Sequence, residues 1–185
     1  MLKRGIIVVF VFVCAMAVFP SQAAWKELRS SKGFSITYPG SWFWQDISSD
    51  RLDILSSKRH AEAVVIDKGE ASISVSAEPR SPVKTFAEVV NYYAQGTAPL
   101  SERNVLSPGR GSCDRLREVV WKEPPVSPED VPAQVHLTDF VYTGLFCGVR
   151  NRTIVVILTN WDGDRQEARY RQIALKMAKS IRIIS

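Results

Sequence analysis

Five consecutive residues, Ile154-Val155-Val156-Ile157-Leu158, are apolar, and four of them are β-branched. Side chains alternate across a strand, so a strand with no polar face has to be covered on both sides. The run therefore predicts a central strand in a sheet, with one layer of structure above it and one below. A chain of 185 residues is long enough for one such domain with its own core. Its apolar fraction of 45% is that of a globular protein.

The rest of the chain supplies candidates for those layers. Phe34, Ile36 and Tyr38 alternate with Ser35 and Thr37, the period of a half-buried strand. Pro39 ends it, Pro39-Gly40-Ser41 turns the chain, and Trp42 returns as a large apolar anchor. Residues 25–29 make a first strand, and Gly33 sits where the turn between the two needs a positive φ. Trp42-Phe43-Trp44 reads as core and rim packing, or as a partner patch. Short strands are expected at 53–57 and 61–66. Ala71, Ile73, Val75 and Ala77 alternate with three serines, which predicts a strand with one buried face. Thr85-Phe86-Ala87-Glu88 is a capping box opening a helix over 86–95, with Phe86, Val89, Val90 and Tyr93 inward and Gly96 as its stop.

Further strands are expected at 104–106, 113–121 and 134–146. Between the last two, residues 122–132 carry four prolines together with Glu123, Glu129 and Asp130, which predicts a long, acidic, exposed loop. Setting Cys113 opposite Cys147 in an antiparallel pair places Val119 against Val141 and Trp121 against Asp139. A last helix is expected over 165–179. Tyr170, Ile173, Ala174, Met177 and Ile181 take its core face, and Arg165, Arg169, Lys176 and Lys179 lie on another.

The first residues read as a secretory signal. Lys3 and Arg4 precede an uncharged apolar run, Ile6 to Phe19, too short to span a bilayer comfortably, and Pro20 breaks it. Small residues follow, so cleavage is expected near Ala23 or Ala24. The domain organisation is then a signal peptide, 1–24, and a single domain, 25–185, released to the periplasm or secreted. Without Lys3 and Arg4 the net charge of +5 falls to +3, too mild to imply nucleic acid. Cys113 and Cys147 remain as an even pair in an exported chain, which reads as a disulfide.

Motifs for catalysis are missing. The chain has no nucleophile elbow, phosphate loop, dinucleotide fingerprint or His-Glu-x-x-His, and its two histidines, His60 and His136, stand apart in sequence. Asp162, Asp164 and Glu167 could hold a hard cation such as calcium or manganese. They match no complete calcium loop, and the competing reading is that Asp164 caps the last helix while Glu167 completes its box. The basic helix face could meet an acidic partner or anionic lipid, or simply be solvated.

Phe34-x-Ile36-x-Tyr38-Pro39-x-x-Trp42, the closing Ala178-Lys179-Ser180-Ile181 and the order of elements together resemble the PsbP-like family, which includes the DcrB-type bacterial envelope proteins. The resemblance runs from about Trp25 to Ile184. It implies an α+β fold, an antiparallel β-sheet sandwiched between helices. It also implies a non-catalytic accessory or binding role, without a shared catalytic motif to carry over, and no cofactor is expected for this chain. The expectation is a monomeric exported domain that contacts an envelope or membrane-associated protein, with at most peripheral membrane contact. Glu123, Glu129, Asp130, Arg165, Arg169 and Lys176 are the candidate contact residues. A carrier or sensor of a small apolar ligand or divalent cation is the alternative, and an uncharacterised enzyme the third reading.

Overall fold

The computed structural model describes residues 24–46, 51–55, 69–77, 85–94, 98–105, 113–122, 140–149 and 152–184. A hairpin of β1 (Trp25–Ser30) and β2 (Phe34–Pro39) leads to β3 (Phe43–Asp46), β4 (Arg51–Leu55) and β5 (Ala71–Ala77). Helix α1 (Phe86–Ala94) precedes β6 (Ser101–Val105), β7 (Arg115–Trp121), β8 (Phe140–Val149) and β9 (Arg152–Trp161). Helix α2 (Glu167–Ser180) and the short β10 (Arg182–Ile183) close the chain. The expected strand at 61–66, both histidines, the signal segment through residue 23 and the acidic loop with Glu123, Glu129 and Asp130 lie outside the described residues.

Seven strands form one sheet in the order β3-β4-β5-β9-β8-β7-β6, with every neighbouring pair antiparallel. The apolar run at 154–158 occupies β9, the middle strand of the seven. Its alternate side chains serve two cores. Ile154, Val156 and Leu158 join the larger core, beneath α2 and the small β1-β2-β10 sheet. Val155 joins the smaller core on the opposite face, under Val89 and Val90 of α1. The strand demanded cover on both faces, and a helix supplies part of it on each.

Local signals act as their chemistry dictates. Thr85 N–H donates to Glu88 Oε2 at 2.5 Å and Glu88 N–H donates to Thr85 Oγ1 at 3.2 Å, a complete capping box. Gly33 adopts φ +83° in the β1–β2 turn, as the turn requires. The stretch after Trp42 departs from the sequence reading. Phe43–Asp46 is a strand on the edge of the sheet, paired on one side only with β4.

The β7–β8 pairing is a correction. Val119 faces Gly144, Trp121 faces Tyr142, and it is Leu116 that stands opposite Cys147. The true register differs from the expected one by three residues. An odd slip would set Val119, which faces the α1 core, against a residue of the other face. Core-facing parity rules out the expected pairing. Cys113 lies ahead of the ladder and reaches Cys147 diagonally, forming the disulfide with Cα atoms 5.1 Å apart.

Gly144 makes room for the largest buried side chain. A Cβ on residue 144 would sit 2.6 Å from Trp121 Cζ3 and 3.0 Å from Phe146 Cε2. Trp121 is fully buried and held edge-on by Phe146, so it has nowhere to retreat. Gly144→Ala is expected to cost about 1–3 kcal/mol in urea unfolding, through overpacking. A neutral result would mean that Trp121 repacks freely.

Candidate functional site

Helix α2 is where the sequence concentrates exposed cations, and the fold decides what surrounds them. Its inner face buries Tyr170, Ala174, Met177 and Ala178, with Ile181 just beyond its end. This leaves Arg169 and Lys176 on the solvent face, with Arg165 exposed just ahead of the helix. Both ends are fastened. Ser180 Oγ accepts from Thr37 N–H of β2 at 2.8 Å and donates to Met177 O at 2.6 Å. At the other end, Tyr170 Oη donates to Gly69 O at 2.5 Å. The helix is a rigid platform rather than a loose arm.

Two grooves flank that solvent face, and Gln172 borders both. The first, of about 310 Å³, runs between α2 and the β1–β2 hairpin. Trp25, Pro39, Trp42 and Ile173 give it apolar walls, and Arg169 and Lys176 add two cations. Lys176 Nζ stands 4.0 Å from the centre of the Trp25 ring, a cation–π contact. Trp42 is buried behind the groove, edge-on to Tyr170 at 5.9 Å. The chain thus brings together Arg169 and Lys176, both expected at a contact surface, with Trp25, which the strand pattern marked only as a strand start.

The second groove, of about 500 Å³, is bordered by Arg103, Arg165, Arg171 and Glu167. Glu118 belongs to the same charge cluster. It is 1% exposed, and it accepts from Arg103 Nε on one oxygen and from Arg171 Nε at 2.6 Å on the other. Arg103 is its cross-strand partner on β6, whereas Arg171 reaches it from α2. Burial is the largest single influence on this carboxyl and raises its pKa. The hydrogen bonds and charges of Arg171 and Arg103 together outweigh it and hold the group below its ordinary value. Glu118 ties the edge strand to the helix. The signal for it was a carboxylate between Leu116 and Val120, at positions that alternate inward.

The three acids considered for a cation each have other work. Asp162 pairs with Lys122 at 2.8 Å. Asp164 accepts from Gly69 N–H at 2.7 Å and from Gln166 N–H at 2.8 Å. This corrects its assignment as the helix cap. The cap position is Gln166, which makes no side-chain capping bond, and Asp164 forms an Asx-type turn two residues earlier. Glu167 is the first helical residue, placed favourably for the helix dipole. Among the described residues no group of three or more His, Cys, Asp or Glu could hold a metal ion. Among the same residues, no helix is long and apolar enough to cross a membrane.

Comparison with solved structures decides the fold. The chain matches the solution structure of the cyanobacterial PsbP protein, CyanoP, from Synechocystis at a TM-score of 0.50, covering 87% of this chain and 93% of that one at 13% identity. It matches the Ran-binding protein Mog1p of Saccharomyces cerevisiae at a TM-score of 0.50, covering 88% of this chain and 97% of that one at 11% identity. The fold is PsbP/Mog1-like. At these identities the likeness concerns architecture alone. No family model and no curated protein matches the sequence.

Proposed function

We propose that this chain is an exported, non-catalytic accessory domain that works by contacting another envelope or membrane-associated protein, as a DcrB-type member of the PsbP-like group. The observation that carries the reading is the solvent face of α2, where cations and tryptophan converge on a preformed groove and no carboxylate borders it among the described residues. Such a surface offers recognition through aromatic and cationic contacts. The likeness to Mog1p supports it, since that protein is named for binding Ran. Export is supported by the Cys113–Cys147 disulfide, a bond that persists in oxidising compartments, and by the signal-like N-terminal sequence. Asp162, Asp164 and Glu167 serve local structure in this reading, and the protein works without calcium or manganese.

Native and denaturing mass spectrometry of the full chain recovered from a bacterial periplasm tests this directly. The expected result is a chain shortened near Ala23 or Ala24, lighter by two hydrogens at the cysteines, and bare of metal or small ligand under native conditions. A stoichiometric ion or lipid in the native mass would overturn the accessory reading in favour of a carrier.

A further inference from the structure

We infer that the groove between the β1–β2 hairpin and α2 is the docking site for a short acidic segment of the partner protein, anchored by one aromatic or aliphatic side chain. This deepens the protein-contact reading above and rests on it. The groove has the size of an anchor pocket. Its volume of about 310 Å³ lies at the bottom of the range of ~300–1,000 Å³ typical of sites that enclose a small molecule. Trp25 and Ile173 offer an apolar side chain a place to lie, and Trp42 closes the floor.

Charge complementarity selects the rest of the ligand. Arg169 and Lys176 border this groove, and no acidic side chain does among the described residues. The neighbouring groove differs. Its three arginines stand beside Glu167 and Asp164, with Glu118 joined to two of them, so its charges are already balanced within the chain. An incoming carboxylate therefore gains most at Arg169 and Lys176. A carboxylate on Lys176 also preserves the ammonium's place over the Trp25 ring, because the ring occupies only one side of it.

The groove is formed before any partner arrives. Gly40 N–H donates to Ala24 O at 2.8 Å and Trp42 N–H to Pro39 O at 2.8 Å, which closes the hairpin end, while the Trp42–Tyr170 ring contact and the Thr37–Ser180 hydrogen bond join the hairpin to the helix. A preformed site avoids the ordering cost of a flexible one. A lipid surface fits less well. Tyr170, Ala174, Met177 and Ala178 of α2 are buried, and Ile173 and Leu175 are half-buried in the two grooves, which leaves no exposed apolar stripe to insert beside its cations.

Selection of phage-displayed random short peptides on the full mature chain tests the inference. Peptides with Asp or Glu flanking Trp, Phe or Leu are expected, and a synthetic consensus peptide should lose roughly tenfold or more in affinity for Arg169→Glu/Lys176→Glu and for Trp25→Ala. Arg115→Glu, exposed on β7 on the α1 side of the sheet, should bind as the wild type does. Arg115, Arg169 and Lys176 are exposed and Trp25 is half-buried at the edge of the larger core, and a cooperative thermal transition in each variant would show that it folds. Peptides without acidic enrichment, or affinity unchanged by the double charge reversal, would overturn the assignment. So would binding confined to anionic phosphatidylglycerol vesicles. A photo-cross-linker at Gln172 in cells separates the two levels. Protein adducts that survive the charge reversal overturn the acidic-segment site and leave protein contact standing, and no protein adduct at all removes both.

Discussion

Replacing Arg103 and Arg171 together by methionine is expected to destabilise the domain by about 3–5 kcal/mol in urea unfolding, because Glu118 is left as a buried carboxylate with no cation. Glu118→Met should cost less. The arginine side chains are 58% and 34% exposed and can turn to water when their partner is removed, whereas Glu118 at 1% cannot. Replacing all three by methionine should recover most of the loss, since apolar replacements of a whole buried ion cluster are often close to neutral. The pH dependence gives a sign to check. In the wild type the folded carboxyl has a lowered pKa, so its contribution is fully present above the ordinary carboxylate range and is lost as pH falls through the folded value. Without the arginines burial acts unopposed and the folded pKa rises above the ordinary one. The double variant should then gain stability relative to the wild type as pH falls from about 7 toward about 5, where Glu118 of the wild type stays ionised and adds no slope. A double variant with the wild-type profile would mean that Glu118 is not the hub joining β6, β7 and α2.

Removing the disulfide is the second large effect. Cys113 and Cys147 are fully buried and 34 residues apart in sequence. In the chain-entropy account, a closed loop of that length stabilises by about 4 kcal/mol. Cys113→Ala/Cys147→Ala is therefore expected to lower the thermal midpoint by roughly 8–16 °C. The change should also be felt in α2. Cys113 Sγ lies 3.2 Å from Ala178 O, so the bond clamps the start of β7 and the end of β8 against the last turn of the helix. Faster amide exchange in that turn is expected in the variant, with the first turn of α1 unaffected. An unchanged midpoint would show that the cysteines are not joined in the native protein.

Much of this architecture was legible because it depends on local chemistry. The apolar run at 154–158 announces a doubly covered strand, and β9 is the centre of the sheet. Thr85 and Glu88 announce a helix start, since their spacing alone lets each satisfy the other's amide. The core face of α2 follows from its period, apart from Ile173, which sits at the groove's rim. The register of β7 on β8 was not legible from the cysteines. A disulfide is a short tether that can be satisfied diagonally, while parity across the sheet and the bulk of Trp121 over Gly144 admit one pairing. Asp164 misled for a related reason, because its preferred partner, the Gly69 amide, lies 95 residues away.

The candidate site divides the same way. By itself the sequence determined a strand covered on both faces and a helix with cations on its outer face. These follow from side-chain period, hydrophobicity and charge, which each segment carries with it. Tertiary structure alone decided that Trp25 and Lys176, 151 positions apart, share one groove, and that Glu118 is buried between arginines from two elements. Those contacts depend on which strand edge lies beside which helix, and that is settled by packing two cores at once rather than by any one stretch of chain.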